Sequence, residues 1–160
     1  MTPLDWAVRP FRKYAVFSGR APRAEYWWFY LATIVVQIPL TIIDKTLGNW
    51  SPFSTLFSLA TLLPWMGVTI RRLHDTGRSG WWLLGFLAAF GPIGFILVID
   101  RSGQFAGSGP ASASGAIIAM IVLLLVLAAF LVFMILPGTE GPNLYGPDPY
   151  GPGDLEEVFA

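Results

Sequence analysis

The stretch GRSGWWLLGFLAAFGPIGFILVIDRS, residues 77–102, decides the fold, and it has an earlier counterpart in GRAPRAEYWWFYLATIVVQIPLTIIDKT, residues 19–46. Each copy runs from a Gly-Arg step to a tryptophan pair, through a long apolar run, to an Ile-Asp-base step at Ile43-Asp44-Lys45 or Ile99-Asp100-Arg101. That is the order of chemistry along one bilayer crossing: arginine stays with the cytoplasmic surface, and indole rings sit at headgroup level. Trp27, Trp28, Trp81 and Trp82 are expected as interface anchors, with Trp50 beyond the first run. Two copies in one order suggest two helix hairpins inserted in the same orientation, as in proteins built from parallel repeats.

Composition agrees. Of 160 residues, 54% are hydrophobic and 12% are charged, and mean hydropathy is +0.60. A soluble domain carries about 25% charged residues, so this chain is solvated mainly by lipid. The net charge of zero hides an asymmetry: all ten bases precede residue 102, and five of the ten acids follow residue 139. The absence of cysteine excludes disulfides and thiolate metal sites. The N-terminal region holds Arg9, Arg12, Lys13, Arg20 and Arg23 and no small-residue cleavage site, so it does not read as a signal peptide.

Four apolar segments, 26–43, 53–70, 81–99 and 116–136, are each able to cross roughly 30 Å of hydrocarbon at about 1.5 Å per residue. The expected fold is an all-α polytopic membrane bundle of four transmembrane helices. It forms a single membrane domain over residues 1–152 with an acidic end at 153–160. Pro39, Pro64 and Pro92 should kink the first three helices, a distortion neighbouring helices can re-satisfy. Gly91-Pro92-Ile93-Gly94 leaves open a third segment that only dips into the bilayer. Residues 2–17 read as a short interfacial helix. Thr2 caps it, Pro3 suits its first position, and Asp5 suits its dipole. Pro10 should interrupt it. Leu4, Phe11 and Tyr14 would lie on lipid while Arg9, Arg12 and Lys13 face headgroups. Residues 102–115 read as a flexible linker, and 137–152 as a Pro/Gly-rich tail that is neither helix nor sheet.

Counting Lys and Arg near the spans orients the chain. The N-terminal segment has five and the 71–80 loop three, against one each beside Asp44 and at Arg101. Eight against two puts the N-terminus and the 71–80 loop in the cytoplasm, and four spans return the C-terminus there.

Three stretches, FSGRAPRAEYWWF (17–29), RRLHDTGRSGWW (71–82) and PGTEGPNLYGPDP (137–149), resemble the bacterial inner-membrane family called domain of unknown function 805. The resemblance implies a small inner-membrane protein of three or four spans and carries no biochemical activity with it. The chain departs from the family pattern where residues 100–115 and a further apolar segment intervene before the tail.

Chemistry concentrates on the cytoplasmic side. Arg20, Arg23, Arg71, Arg72 and Arg78 could form an anion or lipid-headgroup site, supported by Glu25, His74 and Asp75. Arg71 and Arg72 lie four and three residues before Asp75, so either can pair with it on a helix face. Guanidinium forks suit phosphate, and anionic lipid is abundant at that surface. The competing reading is an orientation anchor, with arginines on headgroup phosphates and the carboxylates neutralising their neighbours. His74-Asp75 could be a base and its orienter, but a lone His in a basic loop is more often a structural donor. With no activated nucleophile motif, catalysis is not expected. One His without Cys argues against a metal site, and neither a cofactor nor a nucleic-acid partner is expected. A transporter should carry ionisable groups at membrane depth. The notable polar side chains of the spans, besides serines, are Gln37, Thr33, Thr61 and Thr69, which read as helix-to-helix hydrogen bonds. The expected role is a non-enzymatic membrane module binding anionic lipid or a membrane partner, as a monomer or homo-oligomer. A small oligomeric channel or transporter is the rival. The tail reads either as a segment packed across the basic loop, with Asp148 near the arginines, or as a disordered linker, and two tyrosines in a Gly-Pro frame favour the first.

Overall fold

The computed structural model describes residues 2–48, 51–101 and 110–150. The chain forms five helices: α1 (Pro3–Arg12), α2 (Arg23–Thr46), α3 (Pro52–Asp75), α4 (Trp81–Arg101) and α5 (Pro110–Ile135). No strand occurs among the described residues. Two compact units result, one holding α1 to α3 with the segment after Pro137, the other holding α4 and α5.

In the first unit, α1 opens with a capping box. Thr2 Oγ1 accepts from Asp5 N–H at 3.3 Å, and Asp5 Oδ2 accepts from Thr2 N–H at 2.7 Å. Pro10 does not interrupt this helix, which continues to Arg12. It sits in the last turn, where its missing N–H removes a single helix bond. The helix docks on α2 and α3 instead of lying wholly on lipid. Ala7 and Pro10 are buried, Phe11 and Phe29 rings meet at 5.3 Å, and Tyr14 O–H donates to Ala60 O at 2.9 Å. Leu4 remains 75% exposed.

Helices α2 and α3 form a hairpin of two 24-residue helices, each long and apolar enough to cross a membrane. Both extend past the apolar runs into polar ends. Pro39 and Pro64 lie inside them. At the hairpin tip, buried Asp44 accepts from Phe53 N–H (3.2 Å) and Ser54 N–H (2.8 Å). It thereby satisfies two amides of the α3 N-terminus, which Ser51 does not cap with its side chain. The hydroxyls along the hairpin serve a different purpose from the one expected. Thr33 donates to Tyr30 O, Thr61 to Phe57 O and Thr69 to Trp65 O, each on its own helix. Among these residues Gln37 alone reaches the neighbouring helix, with Nε2 3.5 Å from Ser54 O. A threonine finds its own i−4 carbonyl one turn back without waiting for a partner.

Helix α3 ends at Asp75, with Thr76 as its C-cap. Gly77 takes φ 72°, Gly77 N–H donates to His74 O at 3.0 Å, and Arg78 N–H donates to Leu73 O at 2.9 Å. This pair of bonds is a Schellman cap.

The second unit pairs α4 with α5 through aromatic rings. Trp82 meets Phe133 at 5.5 Å, and Phe86 meets Phe130 at 5.1 Å, both edge-on. Helix α4 runs through Gly91-Pro92-Ile93-Gly94 without a break. Helix α5 begins at Pro110, six residues before the expected 116. Proline suits a first helical position, and the Ala/Ser stretch behind it sustains a helix. Residues 110–115 are therefore not linker. Residues 102–109, Trp50, and Asp154, Glu156 and Glu157 lie outside the described residues.

Candidate functional site

The loop joining α1 to α2 and the segment after Pro137 converge on the end of α3. Gly19, at φ 86°, turns the chain so that its carbonyl faces His74 Nδ1 at 3.1 Å. Ala21 N–H then donates to Arg71 O at 3.0 Å. Gly67 permits the approach, since a Cβ there would stand 3.3 Å from Val16 O. Arg20 is thereby delivered into the protein, with its side chain 2% exposed.

Two buried carboxylates organise the arginines. Asp75 lies between Arg20, whose Nε donates to Oδ1 at 2.9 Å, and Arg72, which pairs with Oδ2. Glu25 lies between Arg71, at 2.9 Å, and Arg9, at 3.7 Å. Arg71 Nε also donates to Gly67 O at 3.3 Å. Burying an ion is costly unless another charge and aligned hydrogen bonds compensate. Asp75 has both. Glu25 and the terminal nitrogens of Arg71 have proximity without well-aligned bonds. Four arginines thus share two carboxylates, which leaves both clusters cationic.

The tail completes the first cluster. Arg20 Nη1 donates to Gly141 O (2.6 Å) and Nη2 to Thr139 O (2.5 Å). Thr139 returns two bonds to the Asp75 carbonyl, from N–H at 2.8 Å and Oγ1 at 3.2 Å. Asn143 Nδ2 donates to His74 O and to Thr139 Oγ1, both at 2.9 Å. Its Oδ1 accepts from Tyr145 N–H at 2.8 Å, a local Asx turn. The Tyr145 ring stacks on His74 at 3.9 Å, with planes 3° apart. Asp148 accepts from Gly141 N–H (3.0 Å) and Tyr150 N–H (2.9 Å). Those amides, with Arg20 nearby, hold its carboxyl below the usual carboxylate range. The tail is therefore folded over the end of α3, which matches the packed reading and not the linker one.

Arg20, Arg72, Asp75 and His74 belong to this junction. Arg71 and Glu25 form a separate pair, so the Arg71–Asp75 contact that spacing allowed is not made. Asp75 is held by Arg72, three residues before it, and by Arg20, while Arg71 is held by Glu25 at 2.9 Å. Arg9 turns from the headgroup face to Glu25 and lies 5.4 Å from the Trp6 ring centre. His74 does not pair with the Asp75 carboxylate. Its Nδ1 faces a carbonyl, which fixes the proton there, and Tyr145 covers its ring. Arg78 is half-buried, with Nη1 3.4 Å from Thr76 O. Arg23 is exposed on the first turn of α2. The sequence reading missed Arg9, Gly138 and Thr139. Gly138 was detectable only as one glycine among many, although a Cβ there would lie 2.8 Å from Asp75 Oδ1.

Beside the junction lies a cavity of about 230 Å³, lined by Arg20, Arg23, Thr139, Glu140, Asp148 and Tyr150 among others. Its walls carry both signs of charge. A larger cleft of about 370 Å³ lies between α2 and α3 at Tyr30, Gln37, Ser58 and Trp65.

No solved structure matches this chain. Inner membrane protein YhaH of Escherichia coli (strain K12) is 34% identical over 152 residues, covering 91% of this chain and 97% of that protein. Inner membrane protein YhaI of the same strain is 35% identical over 147 residues, covering 91% and 96%. Uncharacterized protein YiiR, also from that strain, is 30% identical over 135 residues, covering 82% and 84%. The family model described as "Protein of unknown function (DUF805)" matches residues 14–147. That match takes in the Gly19 turn, the Arg20–Asp75–Arg72 cluster, the Glu25–Arg71 pair, all of α2 to α5 and most of the folded tail, and the chain belongs to this family.

Proposed function

We propose that the chain is a four-span inner-membrane protein with both termini in the cytoplasm. In this reading it is a non-enzymatic module whose arginine-rich end holds anionic phospholipid headgroups. The observation that carries the proposal is the sharing of two buried carboxylates among four arginines at the end where α2 begins and α3 finishes. Excess positive charge at that surface attracts anionic lipid by about 1 kcal/mol per base near the headgroups. Arg20, Arg71 and Arg72 supply this charge from within, while exposed Arg23 and half-buried Arg78 carry it nearer the surface. Glu25, His74 and Asp75 position them. Relatives named as inner membrane proteins support the location, and the count of eight bases against two supports the orientation. The hydroxyls of α2 and α3 turn onto their own helices, which favours a sealed bundle over a conducting path.

The experiment has two arms. A reporter active only in the cytoplasm should function when fused after Ala160 and fail when inserted at Gly107. A periplasmic C-terminus would end the four-span proposal. In native mass spectrometry of the extracted protein, cardiolipin and phosphatidylglycerol should be retained, and Arg23→Gln/Arg78→Gln should lose them without loss of insertion. Unchanged retention would leave the arginines as topology anchors only.

A further inference from the structure

Pro64 divides α3 into two halves with different surroundings. Eight of the ten buried residues of α3 lie from Pro64 onward, where the folded tail and the α1–α2 connection pack. Before it, Leu56, Leu59, Leu62 and Leu63 are 40–69% exposed. Proline has no N–H, so Pro64 cannot donate to the carbonyl four residues back, and its ring crowds that carbonyl. The carbonyl belongs to Ala60, and Tyr14 O–H donates to it at 2.9 Å. Tyr14 thus supplies, from outside the helix, the bond that the proline removes. Ala60 lies ten residues before Ile70, where the apolar run ends, and in hydrocarbon a freed carbonyl has no water to turn to.

The approach of Tyr14 is built into α3 as well. Gly67 follows Pro64 by three residues, and a Cβ there would stand 3.3 Å from Val16 O and 4.0 Å from Lys13 O. The backbone on either side of Tyr14 therefore lies against the buried half of α3, while its hydroxyl reaches past Pro64 into the outer half. The connection is itself held. Val16 N–H donates to Lys13 O at 3.1 Å, Phe11 meets Phe29 at 5.3 Å, and Arg9 lies 3.7 Å from Glu25. We infer that Pro64 is a hinge in α3 and that Tyr14 is its latch, so that docking of α1 fixes the bend between the two halves. The cleft of about 370 Å³ between α2 and α3 is lined by Thr61 and Leu62 before the hinge and by Trp65 after it, so its shape follows the bend. Asp44 and Gln37 hold the outer half to α2, which limits the motion to a change of bend without parting the hairpin. The latch does not depend on the arginine-rich end retaining lipid.

The chain has no cysteine, so spin labels can be placed at chosen sites. Leu56→Cys in the outer half and Leu144→Cys in the tail, at positions 69% and 97% exposed, report the distance from the outer half to the end of α3. It is read by pulsed electron spin resonance on the full chain in lipid nanodiscs. Tyr14→Phe keeps the ring and removes the hydroxyl. The fraction of molecules outside the main distance peak should rise about fivefold, the equivalent of one hydrogen bond of about 1 kcal/mol. Pro64→Ala restores an N–H for Ala60 O, so Tyr14→Phe made in that background should change this fraction by less than about twofold. A parental distribution in Tyr14→Phe would overturn the latch, whatever Pro64→Ala does. Equal broadening with and without Pro64 would overturn the hinge, because the missing proline bond would then not be what Tyr14 replaces. Thermal unfolding of the same variants separates a latch from a plain structural donor: a lower melting temperature in Tyr14→Phe with unchanged distances would also overturn the inference.

Discussion

Replacing Gly138 by alanine should loosen the tail through Asp75. A Cβ at this position would lie 2.7 Å from Asp75 Cγ and 2.8 Å from Oδ1. Carbon atoms rest at about 3.5 Å or more, so the two groups must separate by about 0.8 Å. Neither side yields freely. The carboxylate is held by Arg20 at 2.9 Å and by Arg72. The tail is held by Thr139 N–H on the Asp75 carbonyl at 2.8 Å and by the two Arg20 bonds to tail carbonyls. Lifting the tail entirely would lose five hydrogen bonds, about 5 kcal/mol at about 1 each. Staying in place and accepting strain costs about 1–3 kcal/mol. The second route is cheaper, so the variant should keep its tail docked but weakened by about 2 kcal/mol. Hydrogen exchange on the detergent-solubilised full chain reads this directly: amides of Thr139, Asn143 and Tyr145 should exchange about 30-fold faster. Gly141→Ala is the control. Its φ of 71° penalises a side chain, yet nothing lies within 4 Å of an added Cβ, so about 1–2 kcal/mol is lost without pushing Asp75. Faster exchange at Ala21, whose N–H bonds Arg71 O at 3.0 Å, should appear in Gly138→Ala and not in Gly141→Ala. Tail exchange within twofold of the parent in Gly138→Ala would refute the close packing from which the cost is reckoned.

Arg20→Gln removes one of two guanidinium partners from Asp75 and both side-chain bonds to the tail. Because Arg72 remains, the loss should sit at the low end of that for a broken buried pair, about 3 kcal/mol; a melting temperature equal to that of the parent protein would contradict this. Asp148 has a folded pKa below its unfolded value of about 3.9, so its contribution is complete above that value and is lost as pH falls through the folded pKa. Tail protection should hold from pH 7 to 5, weaken only below about 4, and lose this acid dependence component in Asp148→Asn; weakening near pH 6 would point to another group. Asp44→Ala should cost the α2–α3 hairpin about 1 kcal/mol, the usual loss for a helix N-cap, measured by denaturant or thermal titration. No change would mean that water replaces the carboxylate at the Phe53 and Ser54 amides.

The helices were legible because apolar length is a strong signal. Pro52, Gly77 and the Trp81-Trp82 start mark boundaries that backbone chemistry explains. Their polar extensions were less legible, because Arg23 and Asp75 continue helices after the hydropathy signal has ended. Pairing among the arginines could not be read from spacing. Arg71 and Arg72 each had Asp75 within reach, and the choice depended on Arg20, 55 residues away, and on Glu25 being buried beside Arg71. The tail was legible as turns, since Asn143, Gly146 and Asp148 are strong local directors. Its destination depended on Gly138, whose missing side chain matters only once Asp75 is known to stand against it. Hydroxyls at membrane depth misled the reading for a related reason: Thr33, Thr61 and Thr69 have local acceptors that no sequence pattern distinguishes from neighbouring-helix ones.

The repeated Gly-Arg step has a physical basis that is only partly shared by its two copies. Gly19 and Gly77 both take left-handed backbone angles, 86° and 72°, and such angles favour glycine over any side chain. In both places the turn precedes a helix bearing a tryptophan pair. The arginines that follow diverge. Arg20 enters the protein, bridges Asp75 to the tail and is nearly inaccessible, whereas Arg78 closes the α3 cap with its backbone and keeps a half-buried side chain near Thr76 O. The tryptophans diverge as well. Trp81 and Trp82 are the first two residues of α4, while Trp27 and Trp28 follow four residues of α2, one turn further along. That extra turn holds Arg23, at the cavity rim, and Glu25, between Arg9 and Arg71. The two copies share the glycine turn and the indole pair. The first carries an added helical turn, and that turn supplies Glu25, the carboxylate shared by Arg71 and Arg9.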